Sequence, residues 1–313
     1  MCTRELQRVE ARRLECASGH RFDAAKQGYF NFLTGRGTTF REDTASMVAA
    51  RADFQSAGHY EPLADRVAEL VAEHFTVAGA ESGEGRQVKV LDVGAGTGYY
   101  LGRVLTRMTA PSGDRQGAVV QQSEPPPRAI AMDISRYAMR RAAKIPGVLA
   151  VVWDVWRAWP IADASADVVL NIFAPRNGDE FVRTVRPGGL AVVVTPLANH
   201  LREVAEPLEL LEMADDKERA VRERLGDLFE EVASERVSGE LKLSRTDAVR
   251  LSVMGPAGHH VDPASLEARL RGLPEPLRAT AAFRIQVLRR RAVSRPKQNR
   301  PEEGRFGATD RAK

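Results

Sequence analysis

The segment Val90-Leu91-Asp92-Val93-Gly94-Ala95-Gly96-Thr97-Gly98 constrains this chain more than any other. A largely apolar run, residues 88–93, broken by Lys89 and Asp92, leads into three glycines spaced two apart, and a helix-forming stretch from Tyr99 to about Met108 follows. A run that is apolar at successive positions, rather than alternate ones, marks a strand buried on both faces of a sheet. Glycines directly after it let the backbone pass close to a ligand at a helix N-terminus.

The flanking sequence continues the pattern. Strands are expected at 88–93, 129–134, 148–153, 167–173 and 190–195, with helices at 99–108, 135–144 and 178–185 between them. Such alternation means an α/β fold with a parallel sheet covered on both faces. Pro187-Gly188-Gly189 reads as a turn, and the polar, Pro-rich residues 109–128 as a surface insertion. After Thr195 the expectation is a charged helix over about 201–228, an antiparallel strand at 233–244, a helix at 245–253 and a last strand at 281–291. Ahead of the glycine loop, residues 1–36 suggest small β-hairpins, 37–45 a loop, and 45–57 and 61–76 helices. In the second helix Leu63, Val67, Leu70, Val71 and Phe75 share one face.

Charge is unevenly placed. The chain carries a formal net +4, yet Arg284 to Lys313 holds ten Lys/Arg against three Asp/Glu, leaving the rest net negative. That end is either a handle for phosphate-rich partners or a solvated tail. With 43% hydrophobic residues, the composition excludes wholesale disorder. No apolar run approaches the roughly 20 residues that span a bilayer, and the N-terminus lacks a secretory apolar core, so the expected compartment is the cytoplasm. Two cysteines, Cys2 and Cys16, make no disulfide framework.

The dinucleotide fingerprint G-x-G-x-x-G is not met by Gly94, Gly96 and Gly98. The loop resembles motif I of class I (Rossmann-like) S-adenosylmethionine-dependent methyltransferases, in which the acid before the loop, here Asp92, helps hold the ammonium end of the methionine portion. That resemblance also implies an acid after the next strand gripping the ribose hydroxyls, which Asp133 fits. Asp133 lies 41 positions beyond Asp92, against roughly 20 in a simple β-α-β unit. The 109–128 insertion accounts for the excess. Asp154 follows the third strand, where such enzymes read adenine. Asn171-Ile172-Phe173-Ala174-Pro175-Arg176 only partly matches the Asn/Asp-Pro-Pro-aromatic tetrapeptide of exocyclic-amine methyltransferases, which argues against simple transfer to an exocyclic amine.

Further motifs narrow the resemblance. They are Cys16-x-x-x-His20-x-Phe22-Asp23, Lys26-x-Gly28-Tyr29, Phe40-x-x-Asp43-Thr44-x-x-Met47, Ala50-Arg51-x-x-Phe54-x-x-x-Gly58-His59-Tyr60, Asp154-Val155-Trp156 and Thr195-Pro196-x-x-x-His200-Leu201-x-Glu203. Together they resemble the ribosomal-RNA large-subunit guanine-N1 methyltransferase A family, over about residues 2–290, and within it the actinobacterial branch of tylosin- and mycinamicin-resistance enzymes. The resemblance implies methylation of guanine N1 in hairpin 35 of 23S rRNA, weaker macrolide binding in the exit tunnel, and a homodimer. It also implies an N-terminal zinc knuckle, C-x-x-C then C-x-x-x-H. Cys16 and His20 match its second pair and Cys2 one member of the first. The remaining cysteine would precede Met1, which leaves either an upstream start or a three-ligand site.

The domains expected are therefore a zinc-knuckle-like RNA-recognition module over 1–36, a methyltransferase domain over 37–291 and a basic tail over 292–313. By the resemblance, Tyr60, Gly96, Thr97 and His200 contact the cofactor, alongside Asp92, Gly94, Gly98, Asp133 and Asp154. His200 and Asn171 are the candidate catalytic groups, and no general base is assigned. Asp43 and Arg51 are further polar candidates, or else a loop cap and a salt-bridged helix residue. Trp156 and Phe173 offer stacking surfaces for adenine or a flipped base, whereas Trp153 reads more simply as core. Arg36, Arg41 and Arg51 would serve RNA binding. The competing reading is a class I methyltransferase of a small-molecule acceptor.

Overall fold

The computed structural model describes residues 4–34, 37–79, 87–109, 128–210 and 225–292. The expected tail from 293, most of the 109–128 insertion, Cys2 and Arg36 lie outside them. A small antiparallel sheet comes first: β1 (Leu6–Glu10), β2 (Arg13–Cys16) and β3 (Arg21–Asp23). A two-residue strand, β4 (Phe30–Asn31), then adds to the main sheet in parallel with β7. Phe22 packs on Phe32 with ring centroids 4.6 Å apart, which joins the small sheet to the apolar face beneath.

Helix α1 (Ala45–Ser56) starts where Thr44 accepts the Met47 N–H on its hydroxyl, and left-handed Gly58 turns the chain into α2 (Glu61–Gly79). The core alternation follows as β5 (Lys89–Val93), α3 (Tyr99–Thr109), β6 (Arg128–Asp133), α4 (Arg136–Ala142), β7 (Val148–Val152), β8 (Ala166–Ile172), α5 (Gly178–Thr184) and β9 (Val185–Pro196). Beyond it come β10 (Phe229–Leu243), α6 (Arg245–Met254), α7 (Pro263–Leu270) and β11 (Leu277–Arg290). The eight-stranded sheet runs β10-β11-β9-β8-β5-β6-β7-β4, with β11 antiparallel between β9 and β10. Every residue of β8 is buried, as a central parallel strand requires. Helices α2, α3 and α4 cover one face; Trp159, Phe181 and the β4 aromatics fill the other.

Three expectations are corrected. Pro187-Gly188-Gly189 is an excursion inside β9, not a turn before it: Val185 faces Ala166 and Leu190 faces Val168, so four residues stand against one. Buried Asp167 is the one opposed; it accepts from the Lys89 N–H and pairs with Arg186, which pins the excursion. Residues 201–210 form a 3-10 turn at Arg202–Val204, not the start of a charged helix, and 211–224 of that expected helix lie outside the described residues. Glu203 takes both the N–H and the hydroxyl of Thr280 on β11, and Pro207 cannot donate back along a helix. Finally, α7 was not anticipated. Asp262 caps it, accepting from the N–H groups of Ala264 and Ser265.

Candidate active site

The glycine loop leaves the carboxyl end of β5 with Gly94, Gly96 and Gly98 all left-handed, at φ 74°, 53° and 79°. At Gly94 a Cβ would fall 2.4 Å from that of Ala174, and at Gly98 2.6 Å from the Ile145 Cδ1, so protein packing demands both glycines. Gly96 differs: the nearest atoms to its Cβ position belong to Arg51, at 3.6 and 3.8 Å. Its N–H donates to Asp133 Oδ2 at 2.9 Å, while the Ser135 N–H donates to Oδ1 at 2.8 Å. Each carboxylate oxygen therefore keeps acceptor capacity, which adjacent ribose hydroxyls need. Burial pushes the Asp133 pKa up against the pull of those two N–H groups.

Asp92 lies buried beneath the loop, and among the described residues no donor bonds its carboxylate. Burial, with the charge of Asp133 adding to it, pushes its pKa up to about 8. A buried carboxyl of this kind is poised to ionise beside a cation. Nearby, the Tyr100 hydroxyl is buried with no hydrogen-bond partner among the described residues. Thr97 turns inward and donates to Gln55 Oε1 at 2.6 Å, tying the loop to α1. Arg51, one turn earlier on α1, pairs with Asp43 at 2.7 Å and donates to the Met254 carbonyl at 2.7 Å.

Beside the loop stands a wall of rings. Phe173 lies 6.1 Å from Tyr100, 6.3 Å from Tyr60 and 5.3 Å from Phe283, centroid to centroid, and His200 stands 4.5 Å from Phe283. Phe173 is 42% exposed and has φ 57°, a conformation that bulky residues adopt only when their surroundings enforce it. The imidazole of His200 is oriented at both nitrogens. Nδ1 accepts the Ala282 N–H at 3.1 Å, so the neutral ring carries its proton on Nε2, 3.3 Å from the Tyr60 oxygen.

Asn171, at the end of β8, is fully buried; its amide donates to the carbonyls of Pro175 at 2.9 Å and Val93 at 3.5 Å. Its Oδ1 has no partner among the described residues. Asp154 follows β7, accepting the Thr38 hydroxyl and the Trp156 N–H, so its carboxylate reaches the linker ahead of α1. Trp153 is core, whereas Trp156 is 43% exposed.

Residues 1–34 match a family model described as RlmA, N-terminal, a zinc ribbon. The whole chain is 40% identical, over 91% of its length and 94% of the relative's, to a protein of Micromonospora griseorubida named as a 23S rRNA (guanine-N(1)-)-methyltransferase. It is 39% identical, over 90% of its length and 92% of the relative's, to the 23S rRNA (guanine(748)-N(1))-methyltransferase of Streptomyces fradiae. The chain belongs to the RlmA-type guanine-N1 methyltransferase family. A Bacillus subtilis protein named in the same way, YxjB, is 29% identical over 66% of each chain.

The residues present fit the S-adenosylmethionine that the RlmA-type family implies. The room above Gly96, the spare acceptor capacity of Asp133 and the uncompensated Asp92 are each a feature such a ligand would use. For zinc, Cys16 Sγ and His20 Nδ1 stand 3.3 Å apart in a turn closed by the Cys16 N–H donating to the His20 carbonyl and the Gly19 N–H donating to the Cys16 carbonyl. Two ligands on one tetrahedral zinc lie about 3.6 Å apart, so the pair fits half a site. Cys2 is outside the described residues, among which no group of three potential ligands gathers. Sequence reasoning missed Gln55, Phe283 and the Ala282 N–H. Gln55 was within reach, since it lies four residues from Arg51 and shares its helix face. Phe283 carried no local signal, because only the insertion of β11 beside β9 brings it to the wall.

Proposed function

We propose that this chain transfers a methyl group from S-adenosylmethionine to N1 of a guanine in hairpin 35 of 23S rRNA. The observation that carries the reading is Phe173: an exposed, backbone-strained aromatic at the end of β8, between the glycine loop and the Tyr60–His200 pair. An unstacked base needs such a platform, since sequence-specific RNA readers stack splayed bases on aromatic rings.

When bound, S-adenosylmethionine supplies a methyl group made electrophilic by its sulfonium. The protein's part is to hold both reactants. Gly96 and Gly98 allow close backbone approach, Asp133 would take the ribose hydroxyls, and Asp92 would offset the ammonium charge. Tyr60, with its oxygen already accepting from His200, directs its O–H into the pocket. Asn171 Oδ1 is a buried acceptor at the same edge. Both His200 nitrogens are engaged, so the imidazole orients Tyr60, and the N1 proton is lost to water as the methyl leaves the sulfonium for N1. In-line placement in a fixed pocket supplies most of the rate, as in other positioned group transfers. The ribbon around Cys16 and His20, with Arg41, extends the surface over which RNA docks.

The same reading carries a cytoplasmic homodimer and protection against tylosin-type macrolides. No helix among the described residues is long and apolar enough to cross a membrane. The test is methyl transfer from labelled S-adenosylmethionine to a transcript spanning hairpin 35, mapped by primer extension. A stop beside one guanine is expected, because N1-methylation blocks the Watson–Crick edge. Incorporation without a stop would move the methyl elsewhere. Failure with this transcript and with whole ribosomal RNA would favour a small-molecule acceptor.

A further inference from the structure

The geometry points to a second contact with the acceptor, away from the reacting base: we propose that the basic face of α4 holds a phosphodiester of the RNA backbone. The inference rests on the RNA-acceptor reading above.

An open cavity of about 330 Å³ lies where three parts of the chain meet. Gln27 comes from the turn that follows the small sheet, Val48 from α1, and Tyr137, Arg140, Arg141 and Lys144 from α4 and the turn after it. Residues three and four apart on a helix share a face, which places these four side chains in one stripe. Meanwhile Ala138, Met139 and Ala142 of α4 are buried in the core and fix which way the stripe points. Arg136, the neighbour of this group, pairs with Glu42. Arg140, Arg141 and Lys144 have no carboxylate partner among the described residues. The Arg140 guanidinium sits 5.1 Å from the centre of the Tyr137 ring, and its Nε is buried with no hydrogen-bond acceptor among the described residues. Three cations without a carboxylate call for an anion with several acceptor oxygens. A backbone phosphate supplies these, and Tyr137 offers a ring edge to the adjoining sugar or base.

The position suits a hairpin. Ser135, which caps α4, follows Asp133 by two residues and donates its hydroxyl to the Asp43 carbonyl. The cavity runs along α4 from Tyr137 near its start to Lys144 just past its end. Gly28, beside Gln27, packs toward Ala143, so the segment linking the ribbon to the sheet closes that end. A stem seated here would touch the ribbon side of the molecule while its loop reached the wall at Phe173.

The test compares R140Q/R141Q/K144Q with the wild type for binding of the hairpin 35 transcript across a salt series. Steady-state transfer and S-adenosylmethionine affinity are measured in parallel. The control is R236Q/K242Q on β10, at the opposite edge of the sheet. The expected result is at least a tenfold loss of RNA affinity, with the slope of log affinity against log salt reduced by about 1. The loss should fall on KM for RNA rather than on kcat, with S-adenosylmethionine affinity retained and the control like the wild type. Arg141 and Lys144 are exposed, so R141E/K144E carries the test if loss of Arg140 unsettles α4. Unchanged affinity and slope, or an equal loss in the control, would overturn this inference alone. A wild-type chain that neither binds nor methylates the transcript would overturn the acceptor reading, and this inference with it.

Discussion

The hydroxyl of Tyr60 and Nε2 of His200 lie 3.3 Å apart, and a third group sets the direction of the bond between them. Because the Ala282 N–H occupies Nδ1, the imidazole donates from Nε2 and the phenol is left to donate elsewhere. Burial holds the Tyr60 phenol well above its ordinary pKa, so it stays protonated across the working range. Tyr60→Phe is therefore expected to keep the fold, by circular dichroism, and to lower kcat/KM by about 10- to 100-fold. An acid limb in the pH–rate profile that disappears in His200→Ala would instead make the imidazole a base.

Asp92 links pH to both stability and binding. Its folded pKa of about 8 lies above the roughly 3.9 of an unfolded aspartate. Between those values the folded chain holds a proton that the unfolded chain has released, so the stability of the ligand-free protein falls as pH rises through this window. Asp92→Asn removes that penalty. Its ligand-free Tm should exceed the wild type's at pH 8, and the difference should vanish near pH 4. The same variant should bind S-adenosylmethionine at least tenfold more weakly. Below pH 8 the wild type should release a proton on binding, read by calorimetry in two buffers.

The glycines of one loop should separate by readout. Gly94→Ala meets the Ala174 side chain as well as a left-handed φ, so thermal stability should fall sharply. Gly96→Ala meets no close atom and pays about 1–2 kcal/mol for φ alone. Its main loss should appear in S-adenosylmethionine affinity, measured by equilibrium dialysis. Equal Tm losses with equal binding losses would contradict the assignment.

Phe173→Leu keeps an apolar side chain and removes the ring. Stacking of one base on an aromatic is worth about 1–3 kcal/mol, so KM for RNA should rise about 5- to 100-fold while S-adenosylmethionine binding changes little. A selective loss of S-adenosylmethionine affinity would place the ring against adenine instead.

Cys16 and His20 can be tested through metal content. Zinc measured by mass spectrometry should be present in the purified wild type and absent from Cys16→Ser. That variant should lose RNA affinity but keep S-adenosylmethionine affinity, because Asp92, Asp133 and Gly96 lie outside the ribbon. Zinc retained in Cys16→Ser would exclude Cys16 as a ligand.

Much of the site was legible because its parts are local. Asp92 and the glycines share one strand-turn-helix, and Asp133 ends the next strand, displaced only by the 109–128 insertion. Each announces itself within a few residues by composition and period. The Pro187–Gly189 excursion misled for the opposite reason: its residues are those of a turn, yet the cross-strand demands of Asp167 and Arg186 hold it within β9. The charged stretch after Leu201 favours a helix by composition, but Glu203 finds better partners on β11.

Sequence alone determined the alternation of strands and helices and the glycine loop at the end of β5, both set by short-range rules of chirality and hydrophobic period; Cys16 and His20 stood out only through the family resemblance. The tertiary structure decided what long-range contact must decide. Strand β11, inserted between β9 and β10, brings the Ala282 N–H and Phe283 to His200, and so sets the tautomer that orients Tyr60. Helix α4, packed between the linker and the sheet, sets its Tyr137–Lys144 stripe against Gln27 and Val48 to form the cavity. Neither follows from any window of the chain, because each depends on groups that are distant in sequence and meet only once the apolar faces are buried.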